Sequence, residues 1–125
     1  MLFRSFSKDV ATNIYGRPDY YMRMALGDDG RACGFMFGHV AHFYFAPVNV
    51  AYEDVWYVRE GTVGRTKIGI SLMRGFMKWA LDDMKAVMIQ SGDIASIEPE
   101  AVWAAYRYLG FTKFGSVYKY SRGLV

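Results

Sequence analysis

The sequence predicts a mixed α/β fold, in which helices cover both faces of a central, twisted and mostly antiparallel sheet with one parallel crossover. Two strand-like segments, 20–26 and 31–45, flank a turn rich in glycine and aspartate, which is typical of a β-hairpin. A third strand-like segment, 50–58, leads through a glycine-bearing loop into a long amphipathic helix and a short apolar strand at 86–89. Because a strand, a helix and a second strand in this order form a crossover unit, these two strands should be parallel.

The length and composition are those of one globular domain covering residues 1–125. Of the 125 residues, 53% are hydrophobic and 18% are aromatic, which is enough to bury one core. The apolar runs are much shorter than the roughly 20 residues that span a bilayer, and residues 1–5 do not begin a signal peptide. We therefore expect a cytoplasmic protein without a membrane-spanning helix.

The charge and the cysteine content narrow the classes of ligand. A net charge of +3 and a pI near 9.0 suit a phosphate-bearing ligand but are too weak for a nucleic-acid signature. The single cysteine, Cys33, cannot form an internal disulfide, and its apolar neighbours indicate packing rather than a nucleophile. No set of Cys and His residues has the spacing of a zinc site, so we expect no metal.

Helical periodicity predicts the next two elements. Residues 4–15 carry apolar side chains at near-helical spacing and predict a short helix that ends at Gly16. The long helix after the glycine-bearing loop has apolar residues at steps of three and four, with charged residues on most of its other face. Its apolar positions are Ile68, Leu72, Met73, Phe76, Met77, Ala80, Leu81 and Met84.

The C-terminal quarter predicts one more helix and one more strand. After a loop at 91–99, Pro99 suits the first turn of a helix that runs to Leu109. Gly110 can take the left-handed conformation that ends it, and residues 112–120 predict the last strand.

Four short strings resemble motifs of the GCN5-related N-acetyltransferase (GNAT) superfamily. Residues 106–111 reproduce a Tyr-x-x-x-Gly-Phe ending of the last helix, and residues 28–35 its turn between the second and third strands. Residues 55–58 resemble its fourth strand, and residues 69–72 the Gly-x-x-Leu that begins the long helix. The resemblance covers residues 20–119. It implies the GNAT, or acyl-CoA N-acyltransferase, fold with the parallel crossover at strands four and five.

The resemblance also implies acetyl-CoA as a cosubstrate and a diphosphate-binding loop. A helix start exposes unpaired N–H groups and a partial positive charge, and both favour phosphate. Lys67 stands where the superfamily usually has glycine, and Gly64 where it usually has Arg or Gln, although the charge of Arg65 and Lys67 could compensate. Alternatively, Gly64 and Gly69 shape only a turn and a helix start. The implied cofactor-binding residues are Trp56, Tyr57, Val58, Gly64, Arg65, Thr66, Lys67, Ile68, Gly69 and Ile70.

By resemblance, Tyr106 is the candidate acid that reprotonates the departing thiolate of coenzyme A. Tyr106 precedes Gly110 by the four residues typical of the superfamily. The alternative is that Tyr106, among Trp103, Tyr108 and Leu109, is an aromatic packing residue. Pro99 and Val102 replace an asparagine and an alanine of the pattern, and that asparagine often contacts the pantetheine of the cofactor.

The base that deprotonates the amine is usually a carboxylate on or beside the fourth strand, which makes Glu53 the candidate. Asp54 is its neighbour, and strand alternation puts the two on opposite faces of the strand. Val55 should then share the face of Glu53, and Trp56 the face of Asp54. Solvated edge charges are the alternative, and Glu60 is a weaker substitute. Two histidines, at positions 39 and 42, should point to opposite faces of their strand. Each is interpreted as a hydrogen-bonded or surface residue, and the alternative is that one of them acts alone as a base.

The function implied is an N-acetyltransferase in which a primary amine attacks acetyl-CoA directly. The acceptor could be a small molecule or a protein lysine, and the chain a monomer or a homodimer. The altered loop also suggests an alternative function, that of a degenerate, non-catalytic GNAT-like protein that binds a protein partner. Compact and substituted versions of this fold are familiar in phage genomes, and this chain resembles them. Nucleic-acid binding through the basic residues of the long helix is disfavoured, because these residues are spread over a solvated face.

Overall fold

The structure is a computed structural model that describes residues 4–5, 18–43, 45–91 and 99–113. It divides into two compact units, Met1–Gly92 and Asp93–Val125. The first unit contains the strands β1 (Arg4–Ser5), β2 (Tyr20–Leu26), β3 (Ala32–His42), β4 (Asn49–Val58) and β5 (Ala86–Gln90), the helix α1 (Arg65–Lys78) and a π-helical turn (Trp79–Asp83). The second unit contains the helix α2 (Pro99–Tyr108). None of the described helices is long and apolar enough to cross a membrane.

The five strands form one sheet in the order β1-β2-β3-β4-β5. Neighbouring strands are antiparallel from β1 to β4, whereas β4 and β5 are parallel. The mixed α/β class, the mostly antiparallel sheet and the parallel crossover are therefore as predicted. The hairpin between β2 and β3 closes because Gly30 has a φ of 76° and Asp29 accepts the N–H of Arg31 at 2.9 Å.

The β3–β4 connection begins earlier than predicted. β3 ends at His42 rather than Phe45, because Phe43 N–H donates to Val48 O at 2.8 Å and closes a loop around Pro47. The prediction for β2 matches the observed strand, and that for β4 differs by one residue.

The N-terminal helix predicted over residues 4–15 is wrong at its first two residues. Arg4 and Ser5 pair with Leu26 and Ala25 as β1, because the open edge of β2 offers backbone groups that an extended segment satisfies. Residues 6–15 lie outside the described residues. The strand predicted over 112–120 lies outside them from residue 114 onward, and residues 112 and 113 have no regular structure.

The core lies between α1 and one face of the sheet, formed by β2, β3 and β4. The apolar stripe of α1 supplies Ile68, Leu72, Met73 and Phe76, all of which are buried. The ring of Phe76 stands directly over Gly38 of β3. The side chains that are at most 1% exposed are Ala25, Met36, Val50, Ala51, Leu72, Met73, Phe76 and Ala80.

The long helix changes geometry at its C-terminal end. The turn Trp79–Asp83 is π-helical, and Met84 N–H donates to Trp79 O at 3.0 Å across five residues. The wider turn rotates the side chains that follow it, so that Leu81, which the 3.6-residue period predicts to be buried, is 42% exposed. Asn49 Nδ2 donates to Met84 O at 2.8 Å and fixes this end of the helix to the start of β4.

Candidate active site

The C-terminal half of β4 extends beyond the end of its parallel neighbour. β4 and β5 pair from Asn49 opposite Ala86 to Tyr52 opposite Gln90, where β5 ends. Beyond Tyr52, β4 continues to Val58 along β3. Among the described residues, the other edge of this half of β4 therefore has no strand partner.

β4 contains a β-bulge just after its last residue that pairs with β5. Glu53 pairs with Gly38 and Val55 pairs with Phe37, so that Asp54 is an extra residue in β4. Glu53 and Asp54 lie on opposite faces, as predicted, but the bulge shifts the alternation by one residue after them. Trp56 therefore shares the α1 face with Glu53, and Val55 shares the outer face with Asp54, which reverses both pairings predicted from strict alternation.

The bulge joins Asp54 to a histidine of the neighbouring strand. His39 Nδ1 and Asp54 Oδ2 are 2.7 Å apart, and both side chains are about one-third exposed, at 30% and 36%. The imidazole also stacks on Tyr52, with ring centroids 5.2 Å apart and planes at 21°, and lies 5.7 Å from the ring of Tyr20. Sequence reasoning missed this pair, because it depends on the β3–β4 register and on the bulge.

The Glu53 side chain occupies a different environment. Its register position opposite Gly38 places it on the α1 face, and it is half-buried. Glu60, the weaker substitute, is exposed in the loop after β4.

The loop between β4 and α1 is built from two successive turns. Thr62 N–H donates to Arg59 O at 3.2 Å, and Arg65 N–H donates to Thr62 O at 3.1 Å. Gly64 precedes the helix with a φ of 73°, and nothing lies within 4 Å of where its Cβ would be. Gly64 therefore provides both the left-handed backbone and the open surface at the helix start.

The first turn of α1 has the properties of an anion site. Ile68 N–H donates to Gly64 O at 2.9 Å, whereas the N–H groups of Thr66 and Lys67 donate to no backbone acceptor among the described residues. The first turn contains no acidic residue, and Arg65 and Lys67 are exposed beside it. The partial positive charge of the helix start is therefore reinforced rather than neutralised.

Two side chains fix this helix start to the end of β4. Arg65 Nε donates to Val58 O at 3.0 Å, and Trp56 Nε1 donates to Gly69 O at 3.0 Å. Part of the Arg65 guanidinium is thus used in the fold, whereas the Lys67 side chain is exposed. Ile68 is buried in the core, and Tyr57 lies on the outer face with its ring 5.8 Å from Phe35.

The second unit presents the other predicted residue, Tyr106, near the end of α2. Gly110 has a φ of 95°, and Phe111 N–H donates to Tyr106 O at 2.9 Å, which closes the helix as predicted. The Tyr106 side chain is buried, and its ring centroid is 5.2 Å from that of Phe111. Burial and the ring contact fit the interpretation of Tyr106 as a packing residue. Its role as the acid that protonates the thiolate stays a prediction.

Metal-ligating groups are not gathered at either place. Within the described ranges, no group of three or more His, Cys, Asp and Glu residues could hold a metal ion.

Comparison with known proteins gives no match to a protein-family model and none to a curated protein. Solved structures do match. An aminoglycoside 6'-N-acetyltransferase from Acinetobacter baumannii has 14% identity and a TM-score of 0.69, over 99% of this chain and 100% of its own. An acetyltransferase from Trypanosoma brucei has 13% identity and a TM-score of 0.71, over 90% and 76% of the two chains.

A third structure was solved with a bound ligand. It is AAC(6')-Iy in complex with a bisubstrate analogue, CoA-S-monomethyl-acetylneamine, with 19% identity and a TM-score of 0.66 over 91% of this chain and 76% of its own. All three matches extend over nine-tenths of this chain or more. The chain therefore has the fold of the GNAT acetyltransferases.

Proposed function

We propose that this protein is an acetyl-CoA-dependent N-acetyltransferase that acts on a primary amine. The observation that carries the proposal is the helix start that follows β4, where two N–H groups donate to no backbone acceptor among the described residues and the first turn has no acidic residue. The solved structures of similar fold are acetyltransferases, and this disfavours the alternative of a non-catalytic binding protein.

The diphosphate of acetyl-CoA fits the first turn of α1. The N–H groups of Thr66 and Lys67 would donate to its oxygens, and the open surface at Gly64 lets it approach the backbone. The Lys67 side chain stands where a smaller residue is usual, but it is exposed and adds a positive charge. These residues therefore suit an anionic cosubstrate.

The acetyl thioester fits along the edge of β4 that has no described strand partner. Backbone N–H groups of a strand edge can polarise a thioester carbonyl and stabilise the negative charge that develops as the amine attacks. In this arrangement Trp56, Tyr57 and Val58 flank the pantetheine. Tyr106 is the candidate acid for the departing sulfur, as the resemblance to the superfamily implies. Glu53 is the carboxylate first expected to accept the amine proton.

The acceptor is a primary amine on a small molecule or a protein lysine. Three of the similar structures are of aminoglycoside acetyltransferases, and another holds an analogue that contains acetylneamine. The first amines to assay are therefore an aminoglycoside such as neamine, spermidine and a lysine peptide.

Two measurements test the proposal. Acetyl-CoA at about 100 times its Kd should stabilise the protein by about 2.7 kcal/mol and raise its melting temperature by several degrees. Release of free thiol from acetyl-CoA should then depend on the added amine. Absence of a thermal shift would contradict acetyl-CoA binding, and binding without thiol release from any of the three amines would favour the non-catalytic alternative.

A further inference from the structure

We propose that His39, held by Asp54, is the group that accepts the proton of the acceptor amine. The inference rests on the proposed acetyltransferase function and assigns a residue and a face of the sheet to its acceptor site. It starts from the one close histidine–carboxylate pair among the described residues, which joins Nδ1 to Oδ2 at 2.7 Å.

The geometry of the pair orients the imidazole. A neutral histidine carries one N–H, and a carboxylate that accepts this N–H at Nδ1 leaves the lone pair on Nε2. Stacking on Tyr52, at 5.2 Å and 21°, holds the plane of the ring. The His39 side chain is 30% exposed, so that part of the imidazole is accessible to solvent. These are the properties of a positioned general base.

The pair lies where β4 extends beyond the end of β5. Tyr52, on which the imidazole stacks, is the last residue of β4 that pairs with β5. Asp54 is the bulge residue two positions later, at the beginning of the part of β4 that has no described strand partner on that edge. A thioester bound along that edge would thus have the imidazole close to its reacting end.

The same surface suits a positively charged acceptor. The aromatic faces of Tyr20 and Tyr52 flank the imidazole, and the carboxylate of Asp54 is one-third exposed beside it. Aromatic faces and a carboxylate both attract an ammonium group. In the described part of the chain, the titratable groups in contact with the imidazole are Tyr20, Tyr52 and Asp54, and none of them is cationic.

The proton balance is complete without any further reagent. The amine nitrogen forms a bond to the carbonyl carbon and gives one proton to Nε2 of His39, and the C–S bond then breaks with its electron pair on sulfur. The thiolate is protonated by water or by an acid that regains its proton from solvent. The proton on His39 passes to solvent, so that the products are the amide and the free thiol.

Glu53 is less well placed for this step. It lies on the α1 face, where Phe76 and Trp56 also lie, whereas the His39 pair lies on the outer face. The two candidates can therefore be separated by substitution, since a variant of one leaves the other face unchanged.

The test compares His39→Gln, Asp54→Asn and Glu53→Gln, with neamine, spermidine and a lysine peptide as amines. His39→Gln should lower kcat/KM by about 100-fold or more, a typical effect of losing a general base. Asp54→Asn should lower it by about tenfold, in line with loss of an orienting partner. Acetyl-CoA should still raise the melting temperature of each variant, and His42→Gln, an exposed histidine on the same strand, is the matched control.

The pH profile separates a chemical role from a structural one. In the parent protein kcat/KM should fall toward acid pH as a histidine takes up a proton, and this fall should be absent in His39→Gln. Equal rates in His39→Gln and the parent, or a loss confined to Glu53→Gln, would overturn the inference while leaving the proposed function intact. A parent protein that releases no thiol with any amine would instead contradict the proposed function.

Discussion

The ring of Phe76 in α1 occupies the space that a side chain on Gly38 of β3 would need. A Cβ at position 38 would lie 2.6 Å from Cζ of Phe76 and 2.8 Å from the backbone oxygen of Tyr52. Phe76 is fully buried, and Tyr52 O belongs to the sheet, so neither atom can move away freely. This contact sets how closely α1 approaches the strands that form the proposed site.

Gly38→Ala should therefore destabilise the protein by about 1–3 kcal/mol, the usual cost of overpacking. The free energy of unfolding in urea measures it. Gly69→Ala is the matched control, because a Cβ there would meet its nearest atoms at 3.6–3.8 Å, which is ordinary contact. Alanine in a helix interior is favoured over glycine by about 1 kcal/mol, so this variant should be as stable as the parent or more so. Equal losses in both variants would contradict the close contact.

Lys67→Glu should change stability and binding in opposite directions. A carboxylate in the first turn of a helix stabilises it by about 0.3–1 kcal/mol through the helix dipole, and α1 has no acid there. The same carboxylate would repel the diphosphate, and we expect the Kd for acetyl-CoA to rise by about tenfold, equivalent to about 1.4 kcal/mol. Thermal unfolding and calorimetry measure the two effects.

The matched control is Lys78→Glu, which makes the same charge change in the last turn of the same helix. It should lower stability slightly and leave the Kd unchanged, because an acid at a helix C-terminus opposes the dipole far from the loop. Retained affinity in Lys67→Glu would argue against a diphosphate at this helix start.

Tyr106→Phe should lower kcat by at least about tenfold with little change in the Kd for acetyl-CoA, because it removes a proton donor and keeps the ring. The contact with Phe111 at 5.2 Å is between rings and is retained, so stability should change little. Tyr108→Phe is the control, since Tyr108 is on the same helix and is 68% exposed. An unchanged kcat in Tyr106→Phe would leave Tyr106 as a packing residue only.

Tyr21 should make stability fall at alkaline pH. Burial raises the pKa of the Tyr21 phenol, and the positive charge and hydrogen bond of Arg23 offset part of that rise. Because the unfolded chain loses this proton near pH 10 and the folded chain keeps it to higher pH, the stabilisation is fully present below about pH 10 and is lost above it. The difference in unfolding free energy between the parent and Tyr21→Phe should therefore shrink as the pH rises above about 10. A constant difference would contradict the shift.

The parts of the fold that could be predicted are those with local patterns. The turn at 27–30 and the apolar period of 68–80 are complete within short stretches of sequence, and the Tyr106 to Phe111 string contains its own helix end. The predicted period is wrong at Leu81, which is exposed, because the π-helical turn adds a residue that no local pattern indicates.

The candidate site was predictable only in its contiguous part. Residues 64–70 follow one another and could be found as a loop. The contact of His39 with Asp54 spans 15 residues and exists only because β3 pairs with β4 in one register. Position 53 gave no sign that the alternation would shift, since neither glycine nor proline marks the bulge.

The bulge at Asp54 also determines how this chain must be aligned with others and which insertions it tolerates. Removing that single residue would restore a regular strand in which Val55 still faces outward and Trp56 still faces α1 and reaches Gly69. The same deletion would remove the partner of His39. A relative without a residue at this position would thus keep the packing of α1 on the sheet but lack the carboxylate beside the histidine, however similar the flanking sequence.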